Sequence, residues 1–284
     1  MKKYGIYVFS GTGNTRMCAE LLRTELSALG AETSLCDIGD CEPADEEDLV
    51  ICYPVHGFNA PSNVIGFCRR LPGGRGDVFF LKTSGEPLGL NDCSSDELTR
   101  ILRGKGYRVR GEFHYIMPYN MVFRHSDAMA AKMWNTARER IPSAARAMIE
   151  DRAELPSPSF AARLMSGLCR VEHIFYPLNG RLFRVDGTRC IKCMQCVKNC
   201  PMGNISFEDG RFRFAGKCVS CTRCSFSCPA DAIHIGLLDI MRVNGRYDFD
   251  CDPGGAVIGK YCKKAYERYF DEDKALSESC AVPE

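Results

Sequence analysis

Two runs of cysteines in this chain share one spacing. The first is Cys190-x-x-Cys193-x-x-Cys196-x-x-x-Cys200-Pro201, and the second is Cys218-x-x-Cys221-x-x-Cys224-x-x-x-Cys228-Pro229. Each position of the second run lies 28 residues beyond its counterpart in the first, and the match extends to Ile205 and Ile233. An offset that constant is an internal duplication. Thiolates are soft ligands suited to iron–sulfur clusters. Three of them at two-residue gaps can converge on one cubane, while a fourth, set off by three residues and a proline, faces away. Zinc ribbons use C-x-x-C pairs across a longer gap and need no such third and fourth cysteine. Structural disulfides would require an oxidising compartment, to which nothing in the chain points. The two runs therefore read as ligands of [4Fe–4S] clusters.

A second chemistry sits near the N-terminus. The β-favouring run Tyr4–Phe9 ends abruptly in Ser10-Gly11-Thr12-Gly13-Asn14-Thr15, after which Cys18, Leu22, Leu26 and Leu29 recur at helical spacing up to Gly30. Strand, hydroxyl-rich glycine loop and helix form the geometry that binds phosphate, because backbone N–H groups meet the anion at the positive helix end. No lysine follows Gly13, so this is not a P-loop, and Arg16 occupies the place of the third glycine in a dinucleotide fingerprint. Uncharged hydroxyl and N–H donors suit the monoester phosphate of a flavin.

The elements that must position these residues follow in alternation. Ala31–Cys36 reads as a second strand, residues 42–48 as an exposed acidic loop and Asp48–Cys52 as a buried third strand. The loop Tyr53–Pro61 and a helix from Ser62 to Arg69 come next. Asp77–Leu81 is a fourth strand, followed by the loop Thr83–Asn91, a helix from Ser95 to Arg103 and a fifth strand within Tyr107–Met117. Alternating strands and helices imply a doubly wound parallel sheet. Ligands bind such sheets at the carboxyl ends of the strands, and the loops after strands one, three and four all open on that edge. Ser126 starts a helix that buries Met129, Met133, Trp134 and Ala137, with Pro142 expected to break it or to begin its next segment. Leu155–Ser159 closes this part of the chain. The stripe Phe160, Leu164, Leu168, Val171 and Phe175 is expected to pack one domain against the other. Ile205–Phe214 reads as a hairpin about Asp209-Gly210. The tail reads as a packing helix through Tyr261, Ala265 and Tyr269, and Cys251, Cys262 and Cys280 are spaced too irregularly for a third cluster.

Through Ser10–Thr15 and the two further loops, residues 1 to about 150 resemble a short-chain flavodoxin. Residues 187–236 resemble a bacterial two-[4Fe–4S] ferredoxin through both cysteine runs, including Pro229-Ala230-Asp231-Ala232-Ile233. The whole resembles the single-chain flavodoxin–ferredoxin fusion family. The resemblance implies a flavodoxin-like α/β fold, with a doubly wound parallel five-stranded sheet, followed by a small α+β ferredoxin-like domain. It implies FMN with its phosphate on Ser10, Gly11, Thr12, Gly13, Asn14 and Thr15. The ring would lie against Tyr53, Pro54, Val55, His56 and Gly57 on one side and Thr83, Ser84 and Gly85 on the other. The Thr83–Asn91 loop has no aromatic residue to stack on the ring, so Tyr53, His56 or Phe58 would serve. In two-cluster ferredoxins the fourth thiolate ligates the other cluster. That rule assigns Cys190, Cys193, Cys196 and Cys228 to one [4Fe–4S] cluster, and Cys218, Cys221, Cys224 and Cys200 to the second.

The implied division is 1–153 for the flavin domain, 154–186 for a helical packing segment, 187–236 for the cluster domain and 237–284 for a C-terminal extension. The implied activity is electron transfer between FMN, two clusters and a redox protein that the sequence does not name. The alternative is an FMN-dependent oxidoreductase that reduces a quinone-like acceptor. Gly104 and Gly106 lead into Val109 rather than a third glycine, so no separate nicotinamide fingerprint is present. The 284 residues are 45% hydrophobic with a net charge of +1, and so carry no global basic field for nucleic acid. No apolar run reaches the roughly 18 residues of a membrane span, and Ser10, Thr12 and Asn14 interrupt any leader-like core. A cytoplasmic protein is expected, with the ten cysteines outside the two runs, of 18 in all, as free thiols.

Overall fold

The computed structural model describes residues 1–40 and 48–279. Of the expected acidic loop, all but Asp48 lies outside the described residues. Five strands, β1 (Lys3–Val8), β2 (Glu32–Asp37), β3 (Asp48–Pro54), β4 (Asp77–Ser84) and β5 (Arg108–Ile116), form one sheet in the order β2-β1-β3-β4-β5. Every pairing is parallel. This is the flavodoxin-like order, whose switch point lies between β1 and β3.

The sheet is buried on both faces, which is why its strands read as unbroken apolar runs. Along β3 the side chains of Leu49, Ile51 and Tyr53 join one core while Val50 and Cys52 join the other. The first core is closed by α2 (Ser62–Arg70) and α3 (Asp96–Gly104) through Val64, Phe67, Leu98 and Leu102. The second is closed by α1 (Asn14–Ala28) and α4 (Asp127–Ile149) through Leu22, Leu26, Ile141 and Met148.

Two expectations about helices are corrected. The helix α4 does not break at Pro142 but runs through it. Ile141, Ala145 and Met148 bury against the sheet on both sides of the proline, and that packing outweighs the one backbone bond the proline cannot donate. The stripe Phe160, Leu164, Leu168 and Val171 does not pack the domains together; all four residues are exposed. On α5 (Phe160–Cys169) the buried positions are Ala162 and Ser166. The Ser166 hydroxyl donates to Asn59 Oδ1 at 2.8 Å, and Asn59 Nδ2 donates to the Ser166 carbonyl at 3.0 Å. That buried polar pair sets the rotation of the helix and turns its apolar stripe outward. The helix α6 (Glu172–Gly180) follows.

The remaining chain is small pieces. β6 (Arg184–Val185) pairs antiparallel with β9 (Ile233–His234), and β7 (Ile205–Glu208) with β8 (Arg211–Phe214). Asp209 and Gly210 both take positive φ at the hairpin tip, as its two-residue turn requires. Between these strands lie α7 (Gln195–Lys198) and α8 (Arg223–Phe226). The last helix, α9 (Lys263–Ser279), buries Tyr266, Tyr269 and Phe270 against Ile116, Met129 and Met133. The expectation that every cysteine outside the runs is free also fails. Cys36, on the sheet's edge strand β2, is disulfide-bonded, while the other described cysteines are free thiols.

Lys82 of β4 and Glu112 of β5 form a wholly buried ion pair, and Lys82 Nζ also donates to the Asn91 carbonyl at 2.8 Å. Removing one member strands the other charge in the core. Lys82→Met should therefore destabilise the protein by about 3–5 kcal/mol, while the double variant Lys82→Met/Glu112→Leu should recover most of that loss in urea denaturation.

Candidate functional site

At the carboxyl end of β1 the chain turns through Ser10–Gly13 into α1. Gly13 takes φ +111° at the helix N-cap, and no side chain caps the helix. The N–H groups of the first turn are therefore left for a ligand. Gly13 N donates to Ser10 Oγ at 3.2 Å, and the buried Thr15 hydroxyl meets that of Thr83 at 2.8 Å. This last bond ties the first turn of α1 to the end of β4.

The loop borders a cavity of about 380 Å³. Ser10, Gly11, Thr12, Asn14 and Thr15 line it, together with Pro54, Val55, His56 and Gly57 after β3 and Thr83, Ser84 and Gly85 after β4. Of the candidate residues, Gly13 and Tyr53 are not on its wall. Tyr53 is fully buried in the core beneath α2, its hydroxyl against that of Ser94 at 3.3 Å, so it is not placed to stack on a ligand. Phe58 and His56 do reach the cavity. The His56 ring packs edge-on between Phe9 and Tyr176. Burial pushes its pKa down to about 4, against a partly compensating hydrogen bond to the Val219 backbone.

The aromatic wall that the sequence left open comes from the loop after β5. Tyr119 lies against Gly85 so closely that a Cβ there would sit 2.2 Å from its ring. Its hydroxyl donates to Glu86 Oε2, and its ring stacks parallel on His125 with centroids 5.6 Å apart. Burial raises the pKa of Glu86 and of Tyr119, so the pair shares a proton-bearing contact on the cavity wall. Sequence reasoning stopped at strands one, three and four. The same rule applied to the fifth strand would have included Met117–Asn120. Phe175, Tyr176, Ser220 and Tyr261 also line the cavity, and no local signal marks them.

Behind this cavity lie the cysteines, ringed about two smaller ones. Cys190, Cys193, Cys196 and Cys228 line the first; Cys200, Cys218, Cys221 and Cys224 line the second, with Cys224 reaching both. Each set combines three cysteines of one run with the fourth of the other. Among the described residues no three His, Cys, Asp or Glu side chains are placed to hold a single metal ion.

The duplication is written into the backbone. Lys192 and Met194 take left-handed φ, as do Ser220 and Thr222 at the equivalent positions, and Gly203 is matched by Asp231. Lys192 N donates to Cys190 Sγ at 3.4 Å and Ser220 N to Cys218 Sγ at 3.3 Å; Asn204 N donates to Cys200 Sγ and Ala232 N to Cys228 Sγ, both at 3.3 Å. Such strained, non-glycine positions persist where surrounding contacts impose them, and here they aim N–H groups at sulfur. Burial pushes the Cys218 thiol up to about 12 and also raises Cys224, with the neighbouring sulfurs adding to it. Metal binding at these sites must therefore displace protons.

The cysteine segment packs on the flavodoxin-like part at several places, among them the cluster of Ala130 with Phe226, Val243 and Tyr247, and one of them is the loop after β1. Cys221 packs on the loop after β1: a Cβ on Gly11 would sit 2.5 Å from the Cys221 carbonyl oxygen. Arg223 donates from Nη2 to the Ser10 carbonyl at 2.5 Å, from Nε to Gly11 at 2.8 Å and from Nη1 to Asn199 at 3.1 Å. Asn120 Nδ2 donates to the Cys221 carbonyl at 3.3 Å, and Thr222 Oγ1 donates to the Asn120 carbonyl at 3.2 Å.

Residues 182–205, which contain the first cysteine run, match a 4Fe-4S binding domain family. No curated protein matches the chain. Among solved structures, oxidised flavodoxin 1 from Bacillus cereus is similar at 12% identity over 53% of this chain and 98% of its own, with a TM-score of 0.40. Flavodoxin from Fusobacterium nucleatum bound to flavin mononucleotide is similar at 16% identity over 53% and 99%, with a TM-score of 0.36. A short-chain flavodoxin associated with a non-canonical PDU bacterial microcompartment is similar at 17% identity over 54% and 100%, with a TM-score of 0.39. By strand order the chain has a flavodoxin-like five-stranded parallel sheet, and it is followed by a segment that matches a 4Fe–4S binding domain family.

Two measurements test this geometry. Gly13→Ala meets no neighbour but places a Cβ in left-handed backbone, costing about 1 kcal/mol. Gly11→Ala must displace the Cys221 backbone and should cost more, about 1–3 kcal/mol in the same urea titration. The second test is pH. Burial lowers His56 and also His125 to about 4, whereas the unfolded chain protonates them near the usual value of about 6.5. The unfolded state then binds more protons in that window, so stability is full above it and falls as pH drops toward 4. The slope approaches about 1.4 kcal/mol per pH unit for each histidine, and His56→Phe should flatten it.

Proposed function

We propose that the protein is an electron carrier that binds FMN in the cavity and two [4Fe–4S] clusters in the cysteine pockets, passing electrons between the flavin and a redox protein partner. The observation that carries this reading is the packing of Cys221 onto Gly11, which puts a ligand of the second cluster directly behind the flavin loop. FMN, when bound, exchanges electrons singly or in pairs, whereas an iron–sulfur cluster exchanges one at a time.

The residues present fit these groups. The uncapped first turn of α1 and the hydroxyls of Ser10, Thr12 and Thr15 supply neutral donors for a phosphate. Ser220 Oγ and Asn91 Oδ1, both from residues on the cavity wall, are buried without a hydrogen-bond partner, as expected of groups that await a polar ligand. Tyr119, lying against Gly85, is the aromatic side chain best placed to cover a flavin ring, in preference to Tyr53. Cys190, Cys193, Cys196 and Cys228 would hold the first cluster, and Cys200, Cys218, Cys221 and Cys224 the second. The backbone N–H groups on Cys190, Cys200, Cys218 and Cys228 stabilise their thiolates and tune the cluster potentials. Cys221 is 8% exposed, while Cys193 is exposed and its neighbour Ile191 is 66% exposed. That asymmetry orders the path: the second cluster serves the flavin and the first serves the partner.

The test is purification of the full chain without oxygen, quantification of iron and flavin, and stopped-flow reduction by dithionite. Flavin, iron for two cubanes and electron passage between them are expected. Arg223→Met, which frees the loop carbonyls, should keep both cofactors yet slow internal transfer by roughly tenfold or more, through misplacement of the two halves. Zinc in place of iron, or no electron passage, would refute the reading. Steady NAD(P)H oxidation with a small acceptor and no partner protein would favour an FMN-dependent oxidoreductase instead.

A further inference from the structure

The helices α5 and α6 are built inside out. On α5 the inward positions carry only the small residues Ala162 and Ser166, and on α6 Asn179 and Gly180 are buried beside a single large residue, Tyr176. Their outward positions carry the large apolar ones. On α5 these are Phe160, Leu164 and Leu168, at four-residue spacing and 81%, 54% and 64% exposed. Val171, Ile174 and Leu178 continue the stripe along α6. The single-turn helix Gly236–Met241 extends it with Leu237 at 68% and Ile240 at 94% exposure. That turn is fixed to α6, because Asn179 Nδ2 donates to the Ile235 carbonyl at 3.0 Å and Leu237 N donates to Asn179 Oδ1 at 2.7 Å. Soluble surfaces scatter such residues singly, and a contiguous set marks an interaction site.

We propose that this face lies on an anionic lipid bilayer. Charge selects the occupant. Arg163, Arg170 and Arg181 are exposed alongside the stripe. The one acid between residues 155 and 182 is Glu172, half-buried and engaged by the Tyr176 hydroxyl. Asp239, in the turn, is held by His234 and Arg242. The chemistry of the stripe points the same way: it is aliphatic, with one phenylalanine, whereas the anchors of protein interfaces are Trp, Tyr and Arg, with Leu and Val under-represented. A second copy of this chain would bring three more arginines to the stripe and no exposed acid to meet them. Apolar side chains outward with arginines flanking them are the pattern of a helix that lies in the headgroup layer. Among the described residues no helix is long and apolar enough to cross a membrane, so the contact is with the surface. The same elements wall the cavity from their other side, through Phe175 and Tyr176 on α6 and Leu238 and Met241 on the turn. Bilayer contact therefore bears on the elements that enclose the candidate site.

The test is cosedimentation of the full chain, purified without oxygen and carrying whatever cofactors it holds, with vesicles. One set is phosphatidylcholine alone, and the other is phosphatidylcholine with phosphatidylglycerol in equal parts. Binding to the anionic vesicles, weakened by salt and much reduced on phosphatidylcholine alone, is expected. Ile174→Ser/Leu178→Ser/Ile240→Ser should lower partitioning by about tenfold or more, and Arg163→Glu/Arg170→Glu should abolish the preference for anionic lipid. These side chains are exposed, so an unchanged visible spectrum and thermal transition control for folding. Absence of vesicle binding by the unaltered chain overturns the proposal. So does a dimer in light scattering that the triple serine variant dissociates while vesicles remain unbound, which would assign the face to a second copy.

Discussion

The approach of the cysteine segment to the loop after β1 depends on the absence of one methyl group. Gly11 leaves space for the Cys221 backbone to rest on the loop after β1, and any side chain there would collide with a carbonyl oxygen. A tether alone would hold the halves at some effective concentration, with many relative placements. Arg223 replaces that average with one arrangement by donating to carbonyls on both sides of the junction, Ser10 and Gly11 in front and Asn199 behind. A guanidinium suits the task because its donors form a rigid fork. Its position in the repeat explains why it is available. Arg223 corresponds to Gln195 in the first run, so the duplicated scaffold was free to specialise one copy for docking while both copies kept their thiols.

The repeated cysteine segments show how little sequence such a scaffold needs. The left-handed backbone at Lys192, Met194, Ser220 and Thr222 is unfavourable for each residue taken alone. It recurs at equivalent positions because the sulfur-directed N–H bonds recur with it. The two antiparallel pairs add only a short frame, and the apolar core of this part is small. Small domains with so little apolar core usually draw much of their order from a bound metal centre. The five-stranded sheet has the opposite balance: its two cores close without any ligand, and it offers the rigid edge against which the cluster segment is laid.

How far the sequence disclosed this arrangement follows from the range of each interaction. The cysteine spacing, the Ser10–Thr15 loop and the alternating apolar runs are local patterns, and the strands and helices they imply are found close to their expected places, with β4 running three residues past its expected end at Leu81. The stacking residue was not legible: Tyr119 becomes a cavity residue through its contact with Gly85, 34 positions earlier, and its bond to Glu86. Tyr53 adjoins the loop after β3, but the alternation along that strand turns its ring into the core and away from the cavity. Pro142 misled because a helix-breaking propensity counts for less than burial on both sides of it.

The segment between the two halves departs from its sequence pattern for a different physical reason. A helical stripe of large apolar residues is normally evidence for the side that faces the core. On α5 the rotation is decided instead by two hydrogen bonds between Ser166 and Asn59, both buried, whose loss would leave unsatisfied polar groups in the interior. Small residues at the inner positions let the helix approach the body closely, and the large ones are then left outside. A sequence whose smallest side chains face inward has chosen close approach on one side and a greasy surface on the other. Because the apolar residues continue past α5 onto α6 and the Gly236–Met241 turn, which come from distant parts of the chain, the outward face is not the accident of one helix. Folding assembles it from separate segments, as it does the cavity on their other side.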